Sequence, residues 1–147
     1  MATFHLSIVT PEETVFDQTV TSIIVPGAKG YLGVMAHHAP LISPLVPGKL
    51  TVILPDGVEI LMAISGGFIE VANNSATILA DAAEMADQID KNRAMECFER
   101  AKSRMSAAGQ GDKSLDLDRA TAAFKRAQNR IRIADSTLVS SHYSLHK

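Results

Sequence analysis

The first part of the chain alternates hydrophobic and polar residues with a period of two, as half-buried β-strands do. The runs that carry this pattern are rich in β-branched residues: FHLSIV, VTSIIV, LTVIL, VEILMAI, FIEVA and ATILA. Turn-forming segments separate them: PGAKG, SPLVPG, PDG, SGG and NNS. This spacing predicts a β-sandwich or barrel over residues 1–86, with a hairpin at Pro55-Asp56-Gly57.

The pattern changes to a helical period after residue 86. Apolar residues then recur every three or four positions, which predicts two helices with heptad seams. The two seams are Ala94, Phe98, Ala101, Met105 and Ala108, then Leu117, Ala120, Phe124, Ala127, Ile131, Ala134 and Leu138. The glycine-containing segment GQGDKS predicts a short turn, so the helices fold back antiparallel over residues 87–140. Residues 141–147 lack periodicity and are predicted to form a flexible tail.

Alanine dominates both helical seams. Small residues let two helices approach closely, but they bury little apolar area per residue. We therefore expect the hairpin to be marginally stable by itself, so that it either docks on another surface or opens.

Composition describes an ordinary soluble chain, with 46% hydrophobic residues, 20% charged residues and a net charge of −2. The charge is divided unevenly: residues 1–86 hold eight acids and two lysines, whereas residues 87–147 hold eight acids and twelve basic residues. Such a split suggests that the two parts meet different partners. The single cysteine excludes an internal disulfide, and no secretory signal or membrane-spanning stretch is visible.

The motifs of common catalytic and binding sites are missing. Ser65-Gly66-Gly67 lacks the Gly-x-Ser-x-Gly context of a nucleophile elbow, so a turn explains it better. No Walker A loop is present, and adjacent His37 and His38 would point to opposite faces of an extended chain rather than share a metal. Nucleic-acid binding is disfavoured because the chain is not basic overall and has no interleaved aromatics.

A short motif of an apolar residue, Asp, two residues and Arg-Ala occurs twice, as IDKNRA and LDLDRA. Asp90 and Asp116 stand where helix N-cap residues belong, so capping alone can explain both copies. The arginines add a second interpretation, because the sets Arg93, Arg100, Arg104 and Arg119, Arg126, Arg130 have the same spacing. Two arginine ridges facing one cleft would bind an anionic group; a solvated basic face explains the spacing equally well.

Several segments resemble the epsilon subunits of bacterial F-type ATP synthases. GYLGVMAHHAPLISPLVPG, SGGFIEV and ATILAD are similar to the N-terminal β-sandwich of that family, and IDKNRAMECFERA and FKRAQNRI to its helical hairpin. The resemblance implies an α+β fold: an N-terminal β-sandwich of short antiparallel strands, followed by a C-terminal antiparallel two-helix hairpin. It also implies a non-catalytic rotor subunit in which the sandwich binds the gamma subunit and the c-ring.

In that family the helices exchange between a compact hairpin and an extended form that inhibits ATP hydrolysis by reaching the alpha and beta subunits. The resemblance therefore implies proton-coupled ATP synthesis as the setting, with no nucleic-acid partner and no membrane contact except through the complex. It places Tyr31 and His38 in a contact loop over residues 30–40. The implied location is the cytoplasmic face of the bacterial inner membrane.

Some bacterial members bind ATP, with or without Mg²⁺, as a regulatory ligand of the folded hairpin, and no cofactor is required. Their motif matches Ile89, Asp90, Arg93 and Ala94, and the supporting positions match Glu84, Arg100, Arg126 and Arg130. The resemblance implies arginines on the phosphates, with Asp90 and Glu84 accepting from the base or ribose. Two other classes of function compete with this interpretation: a stand-alone nucleotide-binding sensor, and a hydrolase, for which the sequence offers no nucleophile–base set.

Overall fold

The computed structural model describes residues 2–111 and 116–144, and side chains as far as residue 135. The chain divides into two compact units, Met1–Ala86 and Asp87–Lys147. The first is built from strands and the second from helices, as the change of periodicity predicts.

Eight strands form one hydrogen-bonded sheet in the first unit. They are β1 (Phe4–Val9), β2 (Thr14–Val20), β3 (Ser22–Gly27), β4 (Gly30–Met35), β5 (Leu41–Ile53), β6 (Glu59–Ala72), β7 (Ser75–Ala80) and β8 (Ala83–Met85). Their order is β2-β1-β7-β6-β5-β3-β4, with β8 paired to β6. All pairs are antiparallel except β1 with β7, which is parallel. The predicted β-sandwich is confirmed, although its strands are neither all short nor all antiparallel.

Two of the predicted turns lie inside long strands. β5 has 13 residues and β6 has 14, so SPLVPG and Ser65-Gly66-Gly67 belong to a continuous ladder in which Leu45 pairs with Gly67. β6 changes partner here, from β8 before Ser65 to β7 from Gly67 onward. Gly67 has φ 132°, and an added Cβ would lie 2.0 Å from the Leu79 carbonyl oxygen. The glycines therefore serve a close backbone approach where the strand switches neighbours.

The predicted PDG and NNS turns are confirmed, whereas residues 112–115 of the predicted GQGDKS turn lie outside the described residues. In the Pro55-Asp56-Gly57 turn the Leu54 N–H donates to the Val58 carbonyl over 2.9 Å, and Gly57 has φ 87°. Asn73 and Asn74 take left-handed conformations between β6 and β7, as asparagine tolerates.

A single apolar core fills the first unit. Its fully buried members come from most of the strands and include Leu6, Ile8, Ile23, Leu50, Met62, Ile64, Ile69 and Ile78. Burial of each such side chain contributes about 1.5–3 kcal/mol, which makes this unit the stable platform of the chain.

The second unit is the predicted pair of helices, α1 (Lys91–Gly109) and α2 (Leu117–Ser144). Four seam alanines are buried, namely Ala94, Ala101, Ala120 and Ala127. Leu117 is predicted to belong to the seam, but it is the first residue of α2 and its side chain is 47% exposed. α2 also continues to Ser144, past residue 140 where the prediction ended it; SHYS contains no glycine or proline to stop a helix. Residues 145–147 of the predicted tail lie outside the described residues.

Candidate functional site

Both copies of the repeated motif begin a helix through an aspartate cap. Asp90 Oδ1 accepts the Arg93 N–H at 3.0 Å, and its carbonyl accepts the Ala94 N–H. Asp116 Oδ1 accepts the Arg119 N–H at 3.1 Å in the same way. Each cap satisfies an N–H group that the first turn of a helix leaves unpaired, so the capping interpretation is confirmed for both copies.

A cleft of about 670 Å³ lies between α1 and α2. Arg100 and Arg104 enter it from α1, and Arg119 and Arg126 from α2. Cys97, Ala101, Ala120, Ala123 and Asp116 complete its lining. Two of the three arginines of each ridge therefore line one concavity, which favours an anionic ligand over a simple solvated face.

The arginines in the cleft are poorly neutralised. Within the described residues, none of the four has a carboxylate within salt-bridge distance. Arg100 Nη2 donates to Cys97 Sγ over 3.3 Å, and the one acid in the lining, Asp116, uses Oδ1 as the helix cap. Four guanidinium groups against one carboxylate give the cleft a positive field suited to phosphate oxygens.

The remaining residues of the implied nucleotide site lie outside the lining of the cleft. Arg93 is exposed in the first turn of α1, Arg130 is half-buried on α2, and neither lines the cleft. Ala94 is buried in the helical seam, with Ile89 half-buried and Asp90 exposed just before α1. Glu84 lies on β8 in the first unit.

The cleft also contains two arginines that the implied site left out. Arg104 and Arg119 belong to the predicted ridges, yet the resemblance named only Arg100, Arg126 and Arg130 on these faces. The signal was present in the sequence as the i, i+4 pair Arg100 and Arg104 on one helical face.

The predicted contact segment of the first unit is a strand and a turn rather than a loop. Tyr31 lies on β4, is 62% exposed, and its hydroxyl accepts the Lys49 N–H at 3.4 Å. His38 follows His37, which has φ 63° and donates its N–H to Asn74 Oδ1 at 2.8 Å. GYLGVM forms β4 at one edge of the sheet, where it pairs with β3.

An apolar patch that sequence reasoning missed lies on the outer side of the sheet. We define the outer patch as Ile42, Pro44, Phe68 and Leu79. Phe68 pairs directly with Pro44 on β5 and with Leu79 on β7, and Phe68 and Leu79 are 55% and 56% exposed. Ile42 is 73% exposed two residues along β5. The sequence predicts turns at SPLVPG and SGG and so does not reveal the patch. Pro44 and Phe68 become neighbours only because these segments continue the paired strands β5 and β6.

The side chains described in residues 2–111 and 116–135 include no group of three or more histidine, cysteine or acidic residues fit to bind a metal ion. No described helix is long and apolar enough to cross a membrane.

Comparison with known proteins gives matches to both units. Residues 3–86 match the family model "ATP synthase, Delta/Epsilon chain, beta-sandwich domain", and residues 87–135 match "ATP synthase, Delta/Epsilon chain, long alpha-helix domain". The chain is 51% identical over 104 residues to an ATP synthase epsilon chain of Protochlamydia amoebophila, covering 71% of each. It is 45% identical over 107 residues to that of Desulforamulus reducens, covering 73% of this chain and 80% of the relative.

Solved structures show the same fold at lower identity. A chain of the Euglena gracilis mitochondrial ATP synthase OSCP/F1/c-ring structure has a TM-score of 0.77 at 23% identity, covering 88% of this chain and 79% of that one. A chain from the Tetrahymena thermophila mitochondrial ATP synthase central stalk and c-ring has a TM-score of 0.55 at 15% identity, covering 90% and 94%.

Proposed function

Because the chain belongs to the ATP synthase delta/epsilon chain family, we propose that it is a central-stalk subunit that couples the catalytic head to the c-ring. Epsilon chains are subunits of the synthase complex and are not themselves catalytic. In this role the first unit binds the gamma subunit and rests on the c-ring, with Tyr31 and His38 on the contact side. The subunit is peripheral, at the cytoplasmic face of the bacterial inner membrane, and reaches the membrane only through the complex.

The outer patch supports docking on a rotor partner. Contiguous exposed apolar side chains on a soluble domain commonly mark an interaction surface, and here they cross three neighbouring strands. We assign the outer patch to the gamma subunit, since the edge residues Tyr31 and His38 are then left for the ring.

A co-purification experiment tests this docking. The Phe68→Asp variant is expected to lose the gamma subunit, because a desolvated carboxylate is costly in an apolar interface. Val58→Asp provides the matched control: Val58 is 51% exposed in the hairpin at the other end of the β5–β6 ladder. Retention of the gamma subunit by Phe68→Asp would refute the assignment of the outer patch.

The arginine cleft is the observation that carries the regulatory part of the proposal. We assign the phosphates of ATP, with or without Mg²⁺, to Arg100 and Arg126, which line the cleft, and by the family resemblance to Arg130, one turn after Arg126 on α2. The adenosine lies toward the start of α1, where Ile89, Arg93 and Ala94 flank Asp90, and Asp90 accepts hydrogen bonds from it.

Bound ATP holds the hairpin compact and so relieves inhibition. Ligand at 100 times its Kd stabilises the state that binds it by about 2.7 kcal/mol. That is enough to shift a hairpin whose seam consists largely of alanine. When ATP is scarce, the helices extend toward the alpha and beta subunits and inhibit hydrolysis.

Calorimetric titration of the full chain with ATP tests the site. Arg126→Ala is expected to weaken ATP binding without altering the melting of the first unit, whereas Lys125→Ala, next to it but outside the cleft, is the charge-matched control. Equal affinities in the two variants would remove the cleft from the proposal.

A stand-alone nucleotide sensor would use the same cleft. The two functions differ in partners: the central-stalk subunit forms a stable complex with a gamma-type coiled coil, and the sensor does not.

A further inference from the structure

The four arginines of the cleft form two pairs that each span both helices. Phe98 meets Phe124 and Lys91 meets Asp135, which fixes the antiparallel register of α1 and α2. In this register Arg100 lies opposite Arg126, and Arg104 lies opposite Arg119 nearer the interhelical turn. We name these the inner pair (Arg100 and Arg126) and the turn pair (Arg104 and Arg119).

The pairs are separated by one helical turn. Arg100 and Arg104 are four residues apart on α1, a rise of about 6 Å at 1.5 Å per residue. Both members of each pair line the same cleft from different helices, so their planar guanidinium groups can bind a single phosphoryl group from two sides. The cleft, of about 670 Å³, is open across both pairs.

The nucleotide site proposed above uses the inner pair and not the turn pair. Its adenosine lies toward Asp90 and its phosphates extend along α1 as far as Arg100, so the turn pair stands beyond them. Arg104 and Arg119 have no carboxylate partner among the described residues. Asp116, the one acid of the lining, caps α2 beside Arg119, so two guanidinium groups face one carboxylate here. The excess positive charge is repulsive, and an anion between the arginines reduces that repulsion.

We infer that the turn pair is a second anion subsite, which binds a phosphoryl oxyanion next to the nucleotide. The group can come from free inorganic phosphate or pyrophosphate, or from a phosphate chain longer than a triphosphate. The inference rests on the proposed nucleotide function only for the occupant of the inner pair. An anion at the turn pair also links the two helices, so phosphate would favour the compact hairpin together with ATP.

Cys97 provides a probe inside the cleft. It is the only cysteine of the chain and is partly exposed among the lining residues. A bound anion should slow its alkylation by iodoacetamide. The ratio of rates with and without ligand, taken within each variant of the full chain, cancels any change in intrinsic reactivity.

The experiment titrates inorganic pyrophosphate with and without saturating ATP, following Cys97 alkylation and the heat of binding. We expect pyrophosphate to bind in both conditions. Arg104→Ala and Arg119→Ala should each lower its affinity by roughly tenfold or more, as expected for losing a charge-assisted hydrogen bond. Lys102→Ala and Lys125→Ala remove the same charge outside this cleft and should have little effect. Circular dichroism of each variant verifies that the helices are retained.

Complete displacement of pyrophosphate by ATP, absence of pyrophosphate binding, or equal effects of the arginine and lysine variants would overturn the second subsite. Pyrophosphate binding that depends on Arg104 and Arg119 in a chain that fails to bind ATP would support the subsite and refute the nucleotide function. Adenosine tetraphosphate identifies the source: a preference for it over ATP that Arg104→Ala abolishes supports chain extension, whereas binding of pyrophosphate beside ATP supports a free anion.

Discussion

The ring of Phe98 on α1 lies against the ring of Phe124 on α2, with centroids 4.7 Å apart and planes tilted by 33°. The neighbouring seam positions on both helices are alanine, so this pair supplies the largest apolar side chains at the interface. Because most of the seam is alanine, the hairpin depends strongly on this aromatic contact and on Ile133 of α2, whose side chain is only 1% exposed.

Truncation of Phe98 to alanine should open the hairpin while leaving the first unit folded. The lost ring contact contributes about 0.5–1.5 kcal/mol beyond area burial, a large share for a two-helix unit. Hydrogen exchange of the helical amides measures the change, with Met95→Ala as the control because Met95 is 40% exposed on the same helix. Equal protection in the two variants would contradict this dependence.

Exchange of Asp90 for asparagine separates capping from ligand binding. Asparagine caps helices about as well as aspartate, so helicity should be retained while the charge is lost. ATP affinity measured by calorimetry should fall about tenfold if the carboxylate accepts a hydrogen bond from the nucleotide. Asp116→Asn is the matched variant on α2 and should leave ATP affinity nearly unchanged; an equal loss in both would assign the effect to long-range charge.

Substitution of Gly67 by alanine should destabilise the sandwich strongly. The new Cβ would lie 2.0 Å from the Leu79 carbonyl oxygen at a φ of 132°, and backbone strain of this kind costs about 1–3 kcal/mol even without the clash. Gly33→Ala on β4 meets no atom within 4 Å and serves as the control. Similar urea midpoints for the two variants would contradict the role given to Gly67.

Replacement of Asn74 by alanine should loosen the turn that carries His38. Asn74 Oδ1 accepts the His37 N–H at 2.8 Å and its Nδ2 donates to the Thr3 carbonyl at 3.0 Å. Loss of both bonds should cost about 1–3 kcal/mol and weaken retention of the c-ring in pull-down assays more than retention of the gamma subunit. Asn73→Ala, beside it with a similar backbone conformation, is the control for the turn itself.

The sequence predicted most accurately the features that depend on residues close together in the chain. The two aspartate caps, the alanine seam and the PDG and NNS turns each follow from a few neighbouring residues. The strand β2, TVFDQTV, was missed because its polar residues hide the alternation. The glycines and prolines inside β5 and β6 were misassigned to turns, since long-range pairing overrides local preference.

The candidate site was predictable in composition but not in geometry. Helical spacing put Arg93 on the ridge with Arg100 and Arg104, yet the α1 lining of the cleft extends only from Cys97 to Arg104, and Arg93 lies a turn before it. Which arginines face one another depends on the register of the hairpin, and the contacts of Phe98 and Lys91 across it define that register.

The parallel pairing of β1 with β7 also determines when this protein can fold during synthesis. His5 pairs with Ser75 and Val9 with Leu79. One side of β1 can pair early with β2, but its other side stays unpaired until β7 has been synthesised. Pairings so distant in sequence close slowly, whereas a helical hairpin forms from local contacts in far less time. Until about residue 80 has left the ribosome, the nascent chain therefore exposes an unpaired edge of β1. Chaperones that bind unfolded segments should associate with nascent chains shorter than that.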